Sequence, residues 1–523
     1  MASIGVASVG MMSCAQTPPA AESLSFEVSS SQHVWTSTRE INALCMDKSG
    51  ALWAATSGGV LRRAANGTWR KWTRENGLPS HEVRTIQCAK DQVSVQTPHG
   101  ASVWSSDESG NEWKAARDIS GNKPPIQWNG ARVFQVLEGL RIVGKSSTRN
   151  VPVPGNGTHI SALWPRRQTL LAASFGDNVY QWDGKSWQSL NLVLPTQVRD
   201  ITALCEDAPR RTLWIGTRRA GVWRCDLATQ KVSQSSSHGS EPMDHNAQAL
   251  AVFGGRLWVS TLEDGLASFS GKLWENVAAG QISSVAPRQM TKFRGSLWVR
   301  HGDGQVDKWD GRKWAKNVFT QLPRHKVFAL AADENRLIAV QWGGWSEWDG
   351  ARWTHHFEVP QLQNAPVVSV LPEGETLWLG TQNRGLVEYS MTRKTVRVHD
   401  ERSGLPDDWI TSLCKVGDQI HAGTFVGGLA RWNGAKWTTQ PELKGENITA
   451  IEPSANNGDD ASKLHDAFVA TRHGVWKVAE GTAKPLASAV VDPEAQTLLQ
   501  TPRGVWIGAR TGLSFVRTEH LKN

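Results

Sequence analysis

The pattern of hydrophobic and polar positions is clearest at residues 377–389. Residues 377–381 read Leu-Trp-Leu-Gly-Thr, a polar Gln-Asn-Arg run follows, and residues 385–389 read Gly-Leu-Val-Glu-Tyr. Apolar residues alternate with small or polar ones, which is typical of half-buried β-strands. A glycine after a short polar run is typical of a tight hairpin, because it tolerates backbone angles that other residues avoid. The pattern therefore predicts a strand, a turn and a second strand.

This strand–turn–strand frame recurs along the chain with an average spacing of about 41 residues, the length of one four-stranded propeller blade. Clear copies of the first strand lie at residues 52–56, 213–217, 257–261, 420–424 and 505–509. Weaker copies start at Val93, Leu140, Leu170, Leu297, Leu337 and Ala467. Including residues 377–381, the frame predicts about twelve repeats.

Two further strands are predicted around each frame. An apolar segment precedes it, as at residues 41–45, 201–205 and 410–414. An Asp-Gly or Asn-Gly hairpin follows it, as at residues 182–187 and 432–437, and these pairs are strong hairpin signals. Each repeat is then a unit of four antiparallel strands, A to D, and the fold class is an all-β propeller.

The two ends of the chain are predicted to meet in the last blade. Residues 24–35 resemble an unpaired outer strand, and the last repeat has little sequence left for its own strand D. Twelve blades exceed the four to eight of ordinary propellers, so two rings are favoured over one wide ring. The predicted divisions are an export segment at 1–25, a first half of the blades at 26–285 and a second half at 286–523.

The frame resembles the two-component regulator propeller repeat, whose signature is a Leu-Trp-Ile-Gly-Thr strand followed by Gly-Leu. The resemblance extends over residues 41–516. It implies an extracytoplasmic sensor propeller of a hybrid two-component system. In that family a membrane span and a histidine kinase follow the propellers, and neither follows the last repeat here, so a separate signalling partner is expected.

Composition fits a packed repeat protein with an ordinary solvated surface. The chain has 27 Trp but only 2 Tyr, and most tryptophans fall at repeated positions, which predicts that they pack between blades. The net charge of +8 is spread over 523 residues without a long basic run. No nucleic-acid partner is therefore expected.

Residues 1–25 resemble a bacterial lipoprotein signal. An apolar run at residues 4–12 leads to Ser13 and Cys14 and then to Pro- and Thr-rich sequence. Cys14 would be lipidated, which places the protein in the periplasm or at the cell surface, with membrane contact only through this anchor. The alternative is a small-residue N-terminus without a signal function. The apolar run is too short to span a membrane.

The cysteines indicate structure more than chemistry. Cys45, Cys205 and Cys414 share one position in three A strands, so they are expected to be small core residues that do not pair with each other. Cys88 and Cys225 lie near strands without a CxxC spacing, which suggests neither zinc nor a redox pair. No metal site and no cofactor are predicted.

Candidate ligand-binding residues lie in the turns between strands B and C. The C–D turns are alike from blade to blade, whereas the B–C turns vary, and variable loops on a constant scaffold commonly form binding surfaces. Arginine and tryptophan together suit an anionic or sugar ligand. The candidates are Arg218, Arg219, Glu263, Trp342, Trp345, Gln382, Asn383, Arg384, Arg472, His473 and Arg510.

Three functional hypotheses remain open at this point. The favoured one is a non-enzymatic, sensor-like propeller that binds a small molecule, a glycan fragment or a partner protein. The second is a lyase or hydrolase acting on polysaccharide, which would need an acid/base pair near the centre of a ring. The third is a scaffold that acts only through protein partners. No catalytic residue is predicted.

Overall fold

The computed structural model describes residue 24 and residues 34–89, 92–105, 113–116, 125–235, 246–454, 466–479, 481–486 and 493–517. These residues form β-strands, turns and short 3₁₀ helices, and no α-helix occurs among them. The 3₁₀ helices are Arg74–Asn76, Thr196–Val198, Ala279–Gln281, Pro360–Leu362, Glu401–Ser403 and Pro441–Leu443. The predicted export segment and Cys14 lie outside the described residues. No helix in the described part is long and apolar enough to cross a membrane.

The strands form twelve four-stranded antiparallel sheets, which confirms the predicted β-propeller architecture. We number the sheets as blades 1 to 12 in chain order. The strands of blades 1 to 5 are β2 Ile41–Met46, β3 Leu52–Thr56, β4 Gly59–Arg63, β5 Trp69–Trp72; β6 Thr85–Ala89, β7 Gln92–Thr97, β8 Gly100–Ser105, β9 Lys114–Ala116; β10 Ile126–Trp128, β11 Ala131–Val136, β12 Gly139–Val143, β13 Thr148–Pro152; β14 Ile160–Pro165, β15 Leu170–Ser174, β16 Val179–Trp182, β17 Trp187–Ser189; β18 Ile201–Asp207, β19 Thr212–Thr217, β20 Val222–Asp226 and β21 Val232–Gln234.

Blades 6 to 12 follow the same order, and the last one uses both ends of the chain. Strand β1, Val34–Trp35, pairs antiparallel with β48, so the predicted joining of the ends in the last blade is confirmed. The remaining strands are β22 Ala247–Phe253, β23 Arg256–Thr261, β24 Leu266–Phe269, β25 Trp274–Asn276; β26 Pro287–Phe293, β27 Ser296–His301, β28 Val306–Trp309, β29 Trp314–Ala315; β30 Ala329–Ala332, β31 Leu337–Gln341, β32 Gly344–Trp348, β33 Trp353–His356; β34 Val367–Glu373, β35 Thr376–Thr381, β36 Leu386–Ser390, β37 Val396–His399; β38 Ile410–Val416, β39 Gln419–Thr424, β40 Leu429–Trp432, β41 Trp437–Thr439; β42 Ile448–Pro453, β43 Ala467–Thr471, β44 Gly474–Ala479, β45 Thr482–Pro485; β46 Ala495–Thr501, β47 Gly504–Ala509 and β48 Gly512–Arg517.

The chain divides into two compact units. The inserted unit, residues 36–241, contains blades 1 to 5, and the split unit, residues 1–35 and 242–523, contains blades 6 to 12. The boundary predicted between residues 285 and 286 does not coincide with this division. The predicted boundary divided the repeats into two halves along the chain, whereas the two units differ in which innermost strands are neighbours in space.

In the inserted unit, strand β18 of blade 5 lies beside strand β2 of blade 1. Strand β2 also lies beside β6, while β14 lies between β10 and β18. The order of blades in this unit is therefore 3-4-5-1-2.

In the split unit, the innermost strands of consecutive blades are neighbours from β22 through β46, and β46 also lies beside β22. Trp506 and Phe515 of blade 12 share a hydrophobic cluster with Leu257 and Phe269 of blade 6. The first and last blades of this unit are thus in contact. Whether each unit closes as a complete ring stays a prediction.

The repeated frame is explained by contacts inside and between blades. Trp378 of blade 9 packs with Leu413 and Trp432 of blade 10, so the prediction that this tryptophan packs between blades is confirmed. Thr381 donates its hydroxyl to the carbonyl of Gly385 (2.9 Å) and fixes the B–C turn. Tryptophan therefore fills the space between sheets, while threonine holds the hairpin.

The expectation for Cys45 is wrong in one respect. Cys45 is joined to Cys88 by a disulfide, with their Cα atoms 5.8 Å apart and 43 residues between them in sequence. The spacing of one repeat places both cysteines on the innermost strands of adjacent blades, so a pair one blade apart can bond. Cys205 and Cys225 are free and buried. Burial raises the pKa of their thiols to about 12 and about 11, which makes them poor nucleophiles.

Candidate functional site

The predicted candidate residues fall in both units. Arg218 and Arg219 are exposed in the turn between β19 and β20 of the inserted unit, where the amide of Arg218 donates to the carbonyl of Asp200 (2.9 Å). The other nine belong to the split unit. We call the side of the split unit that carries its B–C turns and D–A connections the turn face.

Most of the split-unit candidates lie in B–C turns as expected. Glu263, Gln382, Asn383, Arg384 and Arg472 are exposed or half-buried there. Two others already have partners, because His473 contacts Glu446 (2.9 Å) and Arg510 contacts Glu494 (2.6 Å). These turns belong to five different blades, so the structure does not gather the candidates into one group.

Trp345 is not a turn residue, contrary to the sequence-based expectation. The turn consists only of Trp342 and Gly343, and Trp345 lies in β32 with no exposed surface. Its indole N–H donates to Glu347 (2.8 Å) and its ring stacks on His356 at 4.9 Å. A strand that starts immediately after a two-residue turn places this side chain between the sheets, so it is a core residue.

Trp342 is exposed by 43% and belongs to a group of aromatic and cationic side chains on the turn face. Arg324 donates a hydrogen bond to the carbonyl of Trp342, and its guanidinium lies 4.8 Å from the ring centre of Phe357. Phe328 lies 6.2 Å from Trp342, centre to centre, and the ammonium of Lys326 lies 5.4 Å from the Phe328 ring. We call these five residues the blade 8 cluster.

Local structure explains how blade 8 presents this cluster. The connection between β29 and β30, residues 316–328, carries Arg324, Lys326 and Phe328. Phe328 takes the position that Thr411 and Thr449 occupy in blades 10 and 11, where the hydroxyls hydrogen bond to a backbone carbonyl of the next blade. A phenyl ring cannot make that bond, and here it lies beside Trp342 instead.

The cluster continues onto blade 7. A Cβ atom at Gly304 would lie 2.4 Å from Cγ of Lys326, and one at Gly302 would lie 3.5 Å from Nε of Arg288. The B–C turn of blade 7 therefore lies between Lys326 and Arg288. Arg300 also lies near this turn, because it directly precedes His301, the last residue of β27.

Arg300 is the most buried cation of the group, with 7% of its surface exposed. Burial first, and then the nearby charge of Arg288, lowers its pKa to about 10, while Asp303 acts in the opposite direction. The guanidinium stays charged at neutral pH. Cations and aromatic rings at this density can bind anions and stack on planar or saturated rings.

A second aromatic pair lies on the turn face at blade 10. Trp409 and Phe425 stack at 4.2 Å, and the guanidinium of Arg472 lies 6.0 Å from the Phe425 ring. Val426, beside them, is exposed by 59%. This pair combines one cation with an apolar surface, on a smaller scale than the blade 8 cluster.

Buried polar groups near the site have a structural explanation. His301 and Asp307 are fully buried and 2.8 Å apart. Burial alone would raise the pKa of Asp307, but hydrogen bonds from His301, Ser283 and Asn317 hold it below its usual value. His301 stands where other blades have the turn-fixing threonine, so the pair fixes this hairpin in another way. Among the described residues no group of three or more potential metal ligands occurs.

Sequence analysis missed Arg288, Arg300, Arg324, Lys326 and Phe328. A signal was present, because residues 297–301 read Leu-Trp-Val-Arg-His where residues 377–381 read Leu-Trp-Leu-Gly-Thr. An arginine at a repeated glycine position is a conspicuous departure from the frame. The remaining residues lie in a connection that has no repeated pattern.

Comparisons with known proteins show the fold. No family model and no curated protein matches the chain. Among solved structures, the chain is similar to PorZ, a surface component of the type-IX secretion system of Porphyromonas gingivalis, with 13% identity, TM-score 0.62, and 93% of this chain and 86% of that one covered.

Two further structures are similar at lower scores. The extracellular domain of a hybrid two-component system from B. thetaiotaomicron has 16% identity and TM-score 0.45, over 92% of this chain and 70% of that one. A GH74 enzyme from Niastella koreensis has 13% identity and TM-score 0.49, over 93% and 99%. Extracellular domains of hybrid two-component systems, the family that the repeats resemble, are thus among the structural neighbours.

Proposed function

We propose that this protein is an exported, non-enzymatic binding propeller that recognises a glycan fragment on the turn face of its split unit. The observation that carries the proposal is the blade 8 cluster, in which an exposed Trp342 lies beside Phe328 and near Arg324 and Lys326. An exposed indole offers an apolar face to a sugar ring, and neighbouring cations donate hydrogen bonds to its oxygen atoms.

The charged side chains of the cluster are guanidinium and ammonium groups, which bind and position a ligand. Its carboxylate neighbour, Asp303, accepts two hydrogen bonds from Gln305 at 3.1 and 2.9 Å. Binding without turnover is therefore the expected behaviour. A separate signalling partner would read the bound state.

The Cys45–Cys88 disulfide supports export. Structural disulfides persist in oxidising compartments such as the periplasm and are rare in the cytosol. Thiol labelling after rapid acid quenching of cells should find Cys45 and Cys88 oxidised. If both react as free thiols, the export proposal fails. Lipidation at Cys14 stays a prediction, to be checked by fatty-acid labelling of the native chain and of Cys14→Ser.

The test of binding is a glycan array probed with the purified chain, with the same samples analysed for released products. Trp342→Ala should lower affinity for any bound glycan about tenfold, as loss of a stacking platform commonly does. The matched control is Leu273→Ala, which removes another exposed apolar side chain (56% exposed) from a C–D turn and should leave affinity unchanged. Product release, or equal affinity for both variants, would overturn the proposal.

A protein ligand is the second candidate, because large apolar side chains are exposed on the turn face. Besides Trp342, Val285 and Val426 are exposed there, and apolar surface on a propeller face suits a protein partner. This candidate is favoured if no glycan on the array binds and if a purified partner protein binds the native chain but not the Val426→Asp variant.

A further inference from the structure

The junction between blades 7 and 8 departs from the repeated frame most visibly at the fourth residue of the Leu-Trp-Leu-Gly-Thr segment. Arg300 stands where Gly380, Gly423 and Gly508 stand in blades 9, 10 and 12. At Gly380 a Cβ atom would lie 2.2 Å from the hydroxyl of Ser369 and 2.7 Å from Cγ2 of Ile410 in the next blade. A side chain at this position therefore points into the space between neighbouring blades, and the junction of blades 9 and 10 has no room for one.

In blade 7 a long side chain bridges the inner strand to the inner strand of blade 8. Gln289 stands where blade 9 has Ser369, and it pairs with Arg300 across the β26–β27 ladder. Its amide spans the junction, donating to the carbonyl of Leu330 (2.7 Å) and accepting from the N–H of Leu330 (2.9 Å). The long side chain of Arg300 fits beside this bridge.

The hydrogen bonds of Arg300 go to neutral acceptors. Its Nε donates to Gln289 Oε1 (3.3 Å) and its Nη1 donates to the carbonyl of His301 (3.2 Å). The negative charge that acts on it is that of Asp303, whose carboxylate also accepts a hydrogen bond from Gln305. A buried guanidinium is costly unless an anion compensates it.

A second and a third cation border the same junction. Arg288 interacts electrostatically with Arg300 and donates from Nη1 to Gln248 Oε1 (3.1 Å). Lys326 lies on the other side of the Gly302–Gly304 turn. Arg288, Arg300 and Lys326 thus bring three positively charged side chains to this junction.

We propose that the junction of blades 7 and 8 is an oxyanion subsite, in which Arg300 and Arg288 bind a carboxylate, sulfate or phosphate group of the ligand. Guanidinium groups match oxyanions in geometry and donate two parallel hydrogen bonds to them. The subsite adjoins Lys326 and Phe328, so the anionic group of a ligand would bind here while its remaining part contacts Trp342. This inference rests on the proposed function for the identity of the ligand, but the anion subsite itself is testable alone.

The first test measures the binding of inorganic phosphate and of sulfate to the purified chain by isothermal titration calorimetry. Chloride serves as the reference anion, and the ionic strength is kept constant. Saturable binding of either oxyanion is expected. Arg300→Gly combined with Gln289→Ser reproduces the residues of blade 9 and should weaken binding about tenfold or more. Arg288→Thr introduces the threonine that blades 10 and 11 have at this position, and it should weaken binding to a similar extent. This single variant keeps the test valid if the double variant does not fold.

The control for charge is Arg402→Ala, which removes an exposed arginine from a D–A connection on the same face and should leave oxyanion affinity unchanged. Equal weakening of binding by Arg402→Ala would show that the effect is general electrostatic attraction, and it would overturn the subsite. Absence of saturable oxyanion binding in the native chain would overturn it as well.

A second arm identifies the source of the anion and separates this inference from the proposed function. Oligogalacturonate and its methyl ester have the same sugar rings, and only the former carries carboxylates. The subsite is supported if the native chain prefers the acid over the ester and the Arg288→Thr variant shows no such preference. Equal binding of both saccharides overturns the subsite but leaves glycan recognition standing. Oxyanion binding without saccharide binding supports the subsite and argues against the proposed glycan ligand.

Discussion

The junction between blades 9 and 10 and the junction between blades 7 and 8 use the same frame in opposite ways. At the first, Gly380 lies against Ser369 and Ile410 with no space for a Cβ atom. At the second, Gln289 spans the gap and Arg300 occupies it. The comparison teaches that a position closed by the neighbouring blade at one junction can hold an arginine at another, where a long polar side chain bridges the two inner strands.

The largest expected effect comes from placing the arginine in the regular junction. Gly380→Arg should destabilise the split unit by about 3 kcal/mol or more, because its side chain has to displace Ser369 and Ile410. Urea unfolding measures the change. Asn383→Arg, in the exposed turn nearby, should alter stability by about 0.5 kcal/mol or less. An unchanged urea midpoint for Gly380→Arg would mean that the two junctions are equally permissive.

Removing the bridge from the irregular junction should cost less. Gln289→Ser deletes both hydrogen bonds to Leu330, and the loss should be about 2 kcal/mol because buried backbone groups lose their partner. Hydrogen exchange at the Leu330 amide should accelerate at the same time. Gln305→Ser, at the surface of the same blade, serves as control. Unaltered exchange at Leu330 would show that the amide does not hold the junction.

The junction between blades 11 and 12 buries an acidic side chain in place of a basic one and sharpens the comparison. Burial raises the pKa of Glu452 to about 8, against a hydrogen bond from Gln500 and the charge of Lys292. The folded state keeps a proton that the unfolded chain releases near pH 4.5, so stability is present below that pH and falls as pH rises towards 8. The decline should be on the order of 2 kcal/mol between pH 5 and pH 7.

Glu452→Gln tests this pH dependence, because glutamine can still accept from the Gln500 amide but has no charge to bury. Its urea midpoint should be less sensitive to pH than that of the native chain. Glu358→Gln, at an exposed glutamate, should retain the native slope. If both variants keep that slope, Glu452 does not cause it.

The smallest expected effect concerns the B–C turn inside the frame. Thr381→Val removes the hydroxyl that binds Gly385 and accepts from the Arg384 amide (both 2.9 Å), and should cost about 1 kcal/mol. Thr381→Ser keeps the hydroxyl and should recover most of the stability. A valine variant as stable as the native chain would show that the blade 9 hairpin needs no side-chain hydrogen bond.

The repeated frame was sufficient to predict the blades. Leucine–tryptophan alternation, turn-fixing threonine and hairpin glycine act within one sheet, so they can be read from about a dozen consecutive residues. The joining of residues 34–35 with the last blade was also predictable, since one strand lacked a partner at each end. The division at residues 241 and 242 was not, because strand contacts between distant blades decide it.

The candidate site was predicted only in part. Trp342 was identified from its turn, but Trp345 was assigned to the same turn although it is buried in β32. Turn length determines which side chains point outward, and two residues of turn cannot be distinguished from four by composition. The cysteine pair was missed for a related reason, since equivalent positions one repeat apart become neighbours only when the blades stack.

The sequence by itself determined that this protein is built of four-stranded blades, because strand alternation and turn chemistry are local and repeat. The tertiary structure decided where the blades adjoin, which glycine positions are closed by a neighbour and which one holds an arginine beside other cations. Those features depend on distances between residues that are a whole blade apart, and no local pattern encodes such distances.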